Sequence, residues 1–282
     1  MSEKIGKEVS SDYMRWLGLS LTLLVTFLVA LGGTNVSATP APTVTSSVNS
    51  CFSYGGYFPH GSWNWSGWAA QYSTTCQNNY TVTDVSGSWI QPSVNCSHNG
   101  VVQMWVGVDG LTTQMLNNDY PVQSNATEAV GTYAACQSGV ATYYLWWGLN
   151  FTAPHRVSSV PLIPGDTVSA SVRYVGTTGL FTFNISAGGQ FFKKKATDPT
   201  ALRQSAECLL TRPGLNHALA NFGYGNFTSC YATISGVHGT ILGFGVSVGL
   251  YMTNPARTSS LEFAARPNAT TGGYRNQWNE YY

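Results

Sequence analysis

TVSASVRYV (Thr167–Val175), GTTG (Gly176–Gly179) and LFTFNIS (Leu180–Ser186) form the stretch that decides the fold. Two short segments rich in β-branched and aromatic residues flank turn chemistry at Thr178-Gly179, and Pro164-Gly165-Asp166 supplies another turn just before them. Outward from this pair, segments of the same kind recur at Trp65–Tyr72, Val82–Ile90, Val101–Val108, Thr142–Leu149, Ala206–Leu210, Thr240–Thr253 and Ser260–Ala265. Regular spacing of short strands with Gly, Asn, Pro and Ser between them argues for an all-β fold, an antiparallel sandwich or barrel. After the N-terminal segment no stretch carries a 3.6-residue apolar period, so no long helix is expected there. Neither an internal repeat nor a linker follows residue 60, which leaves one domain.

Only 9% of the 282 residues are charged, against about 25% in an ordinary soluble domain. With 43% hydrophobic residues the chain is not disordered. A formal charge of +1 gives no electrostatic footprint for a nucleic-acid backbone, so nucleic acid is excluded as a partner. A chain this poor in ionisable groups has few native ion pairs for acid to break, which suits a low-pH exterior.

Lys4, Lys7 and Arg15 precede the uncharged apolar run Leu17–Gly33, and Val36-Ser37-Ala38 resembles a small-residue cleavage site. Residues 1–38 read as a signal peptide, or as a membrane anchor if uncleaved, with 39–50 a Ser/Thr/Pro-rich linker and 51–282 the folded domain. Either way the domain faces outward, extracellular or on the cell surface, and any membrane contact is through the N-terminal segment. The even set Cys51, Cys76, Cys96, Cys136, Cys208 and Cys230 lacks C-x-x-C spacing and points to disulfides. Acceptor triplets for N-glycosylation occur at Asn64, Asn79, Asn95, Asn125, Asn150, Asn184, Asn226 and Asn268, besides Asn35.

Familiar catalytic patterns fail. Gly245-Val-Ser-Val-Gly249 matches G-x-S-x-G, but no His follows His238, so the triad order breaks and the segment reads as a strand. His60, His98, His155, His217 and His238 have no metal-ligand spacing, and no metal or cofactor is expected. Lys193–Lys195, on a hairpin, reads as a solvated edge guard.

NWSGW (Asn64–Trp68), VSGSWIQPSV (Val85–Val94) and WVGVDG (Trp105–Gly110) resemble the NWSGY, VSGSWTVPSV and WVGIDG signatures of the glutamic peptidases, or eqolisins. YYLWW (Tyr143–Trp147), SAE (Ser205–Glu207) with Arg212-Pro213, LANFG (Leu219–Gly223), LYMTN (Leu250–Asn254) and Trp278-Asn279 continue the resemblance to the end of the chain. It implies a sandwich of two bent antiparallel sheets and peptide-bond hydrolysis at low pH. In that chemistry a Glu carboxylate activates water and a Gln carboxamide stabilises the oxyanion. It also implies a Cys96–Cys136 disulfide; Cys208 with Cys230 and Cys51 with Cys76 complete one of the fifteen connectivities that six cysteines allow.

The family frame places Ala129 where the Gln belongs and Thr211 where the Glu belongs, while Gly148 replaces a further carboxylate. Neither a methyl nor a hydroxyl does the work of a carboxamide or a carboxylate base. Gln123 and Glu207, with Asp109, are the candidate stand-ins; Glu128 should face away from the cleft that residue 129 lines. The remaining cleft candidates are Trp105, Asp109, Tyr143, Trp146 and Gly148, with Tyr144 and Trp147 beside them, unless these aromatics are core. Three functions are therefore in view. The first is a catalytically silent extracellular binding or structural module, with a polypeptide or cell-envelope glycan as ligand. The others are an acid endopeptidase with a relocated Gln/Glu pair and a lectin-like glycan binder.

Overall fold

The structure is a computed structural model that describes residues 59–71, 81–111, 127–149, 154–214, 217–244, 247–254, 256 and 258–280. The N-terminal segment, the linker, Gln123, the Cys51–Cys76 pairing and the acceptors Asn35, Asn79, Asn125 and Asn150 lie outside the described residues.

The described strands are β1 (Pro59–Ser62), β2 (Trp65–Gln71), β3 (Val82–Ile90), β4 (Gly100–Val108), β5 (Glu128–Gln137), β6 (Val140–Leu149), β7 (His155–Val157) and β8 (Thr167–Val175). They continue with β9 (Leu180–Ala187), β10 (Gln190–Thr197), β11 (Ser205–Thr211), β12 (Tyr224–Ile234), β13 (Val237–Thr240), β14 (Ser247–Thr253), β15 (Ser260–Ala264) and β16 (Gly272–Trp278). The all-β expectation holds: among the described residues the one helical element is a 3-10 turn, Ile241–Gly243. That turn divides the single strand expected over Thr240–Thr253 in two. Ser247 Oγ donates to the carbonyls of Ile241 and Phe244, and the chain continues as β14, so the G-x-S-x-G match is not a nucleophile elbow.

Hydrogen bonding follows one path, β10-β9-β8-β3-β12-β16-β15-β14-β2-β11-β4-β5-β6-β7. All its pairings are antiparallel, while the short β1 pairs with β14 in parallel. The path doubles back, so that β3 packs face to face on β4 and β11. A Cβ added at Gly87 of β3 would come 2.8 Å from Val106 Cγ1 and 3.4 Å from Cys208 Sγ. Between the layers, alternate residues such as Trp89, Val106, Val172, Phe183 and Leu210 form the main core. β4 and β11 are buried on both faces, because a second cluster of Trp65, Trp105, Leu111, Ala129, Trp146 and Leu209 covers their other side.

Cys208–Cys230 ties β11 to β12 across the core, and Cys96–Cys136 fixes the start of β4 to the end of β5, as the resemblance implied. With 22 residues of separation, replacing both Cys208 and Cys230 by Ala is expected to cost roughly 3 kcal/mol by the loop-entropy argument. Urea unfolding checks this; an unchanged midpoint would show that the bridge adds nothing.

Candidate functional site

The face of β11-β4-β5-β6 opposite the main core carries Thr211, Glu207, Trp105, Ala129, Tyr144, Trp146 and Gly148. Strand register sorts these side chains into three parallel rows. Thr211, Gln103, Tyr133 and Tyr144 face one another in the first; Leu209, Trp105, Gly131, Trp146 and Arg156 form the second. Glu207, Gly107, Ala129 and Gly148 form the third.

In the third row, Gly107, Ala129 and Gly148 contribute a single methyl between them. The ring of Trp105 takes up the space: a Cβ at Gly107 would lie 2.6 Å from Trp105 Cζ3 and 3.2 Å from the Ala129 Cβ. Gly131 is required as well, since a Cβ there would run into the Met104 carbonyl and the Cβ of Trp105. At the indole's other end, Trp105 Nε1 donates to Thr211 Oγ1 at 3.2 Å, and that hydroxyl donates to Gln103 Oε1 at 3.2 Å. Thr211 and Ala129 thus sit at opposite ends of one buried indole, and neither end carries a carboxylate. Trp65 packs edge-on to Trp105, with centroids 5.9 Å apart. Trp65, Trp105 and Trp146 are at most 2% exposed, so these aromatics are core.

Two lining assignments need correction. Tyr143 and Trp147 alternate onto the main-core side of β6, and the Tyr143 hydroxyl accepts from the Val94 amide at 2.9 Å. Period-2 geometry leaves Tyr144, Trp146 and Gly148 on the site face. Tyr144 stacks on Tyr133 with centroids 4.4 Å apart, and the Arg156 guanidinium lies 4.7 Å from its ring. Burial and the neighbouring Tyr133 push the Tyr144 phenol up to about 12. Both tyrosines remain partly exposed and Arg156 is exposed, so this rim is the open part of the face.

Glu207 lies in the Ala129 row but two strands away, about 10 Å at the usual strand spacing. Its Oε1 accepts from Ser205 Oγ at 2.5 Å and from the Leu111 amide at 3.2 Å, with no exposed surface. Asp109, in the left-handed region with φ 64°, accepts from the Arg203 and Gln204 amides at 2.6 Å each. Burial raises both carboxyls, Glu207 well above its ordinary value, and Asp109 adds to the rise at Glu207. A neutral, hydrogen-bonded, water-shielded carboxyl is a poor general base.

Glu128 faces away from Ala129, as strand alternation requires. It meets Asp198, from the turn after β10. Burial, then the charges of Asp109 and Asp198 nearby, push Glu128 up to about 9. Asp198 is held below its ordinary value: burial opposes this, but the Thr200 hydroxyl and amide donate to it. Of this neighbouring pair, Glu128 therefore keeps its proton and Asp198 carries the charge. Sequence reading missed Gln103, Tyr133, Arg156 and Asp198. Gln103 was reachable by counting two residues back from Trp105; Asp198 arrives from a distant turn and carries no local signal.

Of the acceptor asparagines, Asn64 is only 4% exposed, which leaves no room for a glycan there, whereas Asn95, Asn226 and Asn268 are exposed.

A family model described as the Peptidase A4 family matches residues 63–254. Among solved structures, scytalido-glutamic peptidase with a transition state analog inhibitor is similar at 17% identity and a TM-score of 0.59, over 77% of this chain and 98% of that one. SCP-B, a member of the Eqolisin family of peptidases, in a complex with the tripeptide Ala-Ile-His, gives 17% and 0.57 over the same shares. Aspergilloglutamic peptidase from Aspergillus niger gives 16% and 0.52, over 64% of this chain and 99% of that one. At these identities the likeness is one of fold. No curated protein matches the chain.

Proposed function

Because the chain belongs to the Peptidase A4 family, we propose that it is an exported, catalytically silent member serving as a binding or structural module outside the cell. The observation that carries this reading is the pair Ala129 and Thr211 in the family frame, with the Thr211 hydroxyl already committed to Trp105 and Gln103. One missing oxyanion donor costs roughly 2.7–4 kcal/mol and one missing positioned base about 10²–10⁴-fold, so losing both leaves little hydrolysis. Two disulfides and the apolar N-terminal run support export.

The ligand surface that remains is the rim of Tyr133, Tyr144 and Arg156, whose stacked rings and guanidinium suit an extended polypeptide or a glycan. Tyr144→Ala is expected to weaken capture of a bound peptide or oligosaccharide at least tenfold in a binding screen. A ligand held equally well by that variant would place the site elsewhere. The second reading, an active peptidase with a relocated pair, draws on Asp109 and Glu207, two buried carboxyls near each other. Cleavage at low pH that is lost in Asp109→Asn, Glu207→Gln or Gln123→Ala would establish it.

A further inference from the structure

The formal charge of +1 conceals an uneven distribution: among the described residues the exterior is cationic. Asp109, Glu128, Asp198, Glu207 and Glu262 are all buried, whereas Arg156, Arg173, Lys193, Lys194, Lys195, Arg266 and Arg275 are exposed. Among the described residues, the carboxylates left at the surface are Asp84, Asp166 and Glu280.

The cations are densest on the outer face of the layer β10-β9-β8-β3, the side away from both the core and the candidate site. Register places Lys193, Asn184, Ser171 and Ser86 in one row, and Lys195, Thr182, Arg173 and Asp84 in the next. Neighbouring rows are about 7 Å apart and neighbouring strands about 4.8 Å apart, so Asn184 and the hydroxyls of Ser171 and Ser86 form a short polar floor beside the lysines and Arg173, while Thr182 is itself buried. Phe191, on the same face, is 62% exposed. Of the nearby carboxylates, Asp84 is paired electrostatically with Arg173, and Asp166 lies at the far end beside Gly188. A solvated edge guard needs lysines on the edge strand alone; here the positive charge reaches inward to Arg173, two strands from the edge.

We propose that this outer face binds an extended acidic polysaccharide, with Lys193, Lys195 and Arg173 pairing with its carboxylates, the polar floor bonding its ring oxygens and Phe191 stacking on a sugar ring. Charge complementarity selects the polymer: the face has three cations and one paired carboxylate, and a neutral glycan would leave the cations unused. The face is remote from Ala129 and Thr211, so the assignment stands or falls independently of catalytic silence.

The test is titration calorimetry of the chain, produced without glycans, against polygalacturonate at pH 5 and low ionic strength. Neutral dextran and phosphatidylglycerol vesicles serve as comparison probes. Binding to polygalacturonate alone is expected, weakening with salt, at least tenfold weaker in Lys193→Ser/Lys195→Ser, and unchanged in Arg266→Ser and in Lys193→Arg/Lys195→Arg. All these substitutions are on exposed side chains, and thermal melts confirm that each variant folds. Absence of binding, full binding by the serine variant, or equal binding to the vesicles would overturn the proposal. A glycan on Asn184 of the exported protein, whose side chain bonds Ser171 in the middle of this face, would overturn it too.

Discussion

Glu128→Gln is expected to raise the melting temperature at pH 7 by roughly 6–12 °C while leaving it nearly unchanged at pH 4. The Glu128 carboxyl is raised from 4.5 to about 9 in the folded chain, chiefly by burial. Above pH 4.5 the unfolded chain gives up this proton and the folded chain keeps it, so the contribution is fully present below 4.5 and is lost as pH rises toward 9. At about 1.4 kcal/mol per pH unit, the loss from 4.5 to 7 is roughly 3 kcal/mol, and each kcal/mol moves a domain of this size by about 2–4 °C. Gln is neutral at every pH and has no proton to lose.

Asp198 works in the opposite sense. Its lowered carboxyl stabilises above its ordinary value of 3.8, and that contribution is lost as acid protonates it. Glu207 and Glu262, both raised well above 4.5 by burial, steepen the decline toward neutrality. Stability is therefore expected to peak near pH 4 and fall toward pH 8. A melting temperature that is flat or rising between pH 4 and 7 would contradict a buried, protonated Glu128.

The second large effect belongs to the family frame. Ala129→Gln with Thr211→Glu is expected to create measurable cleavage of a denatured protein at about pH 3, whereas each single variant stays silent. Water activation and oxyanion stabilisation act as one unit, so either alone yields almost nothing. The new Gln has glycines on both neighbouring strands but must shift the edge of the Trp105 indole that fills this row, and the new Glu replaces a hydroxyl beside the Trp105 indole N–H, a donor able to hold it. A double variant that folds, as judged by its melt, but does not cleave would show that the frame assigning residues 129 and 211 is wrong.

Much of the fold was legible because its strands carry strand chemistry. Val82–Ile90 and Thr167–Val175 fall where β-branched and aromatic residues place them, with polar residues on the outer face. Among the strands missed, Glu128–Gln137 is rich in Ala and Gly, and Gly272–Trp278 holds no β-branched residue. Their pairing comes from neighbours on both sides rather than from intrinsic preference. β5 is the sharpest case: Gly131 is present because Trp105 leaves no room for a Cβ, a requirement visible only in three dimensions.

At the site, the substituted positions were readable one residue at a time, but their surroundings were not. Alternation along β6 was the step that misplaced Tyr143 as lining, since YYLWW offers aromatics to both faces. The sparse carboxylates were countable in the sequence. That five of them are buried, leaving the exterior cationic, depended on the packing of distant turns such as the one carrying Asp198.

The most direct test of silence is incubation of the purified, folded wild-type chain with a denatured protein substrate between about pH 2 and 4. Products are followed by mass spectrometry against a heat-inactivated control. No cleavage above the control is expected. Cleavage that persists when Gln123 and Glu207 are both replaced would contradict the silent reading and also the stand-ins considered for the lost pair.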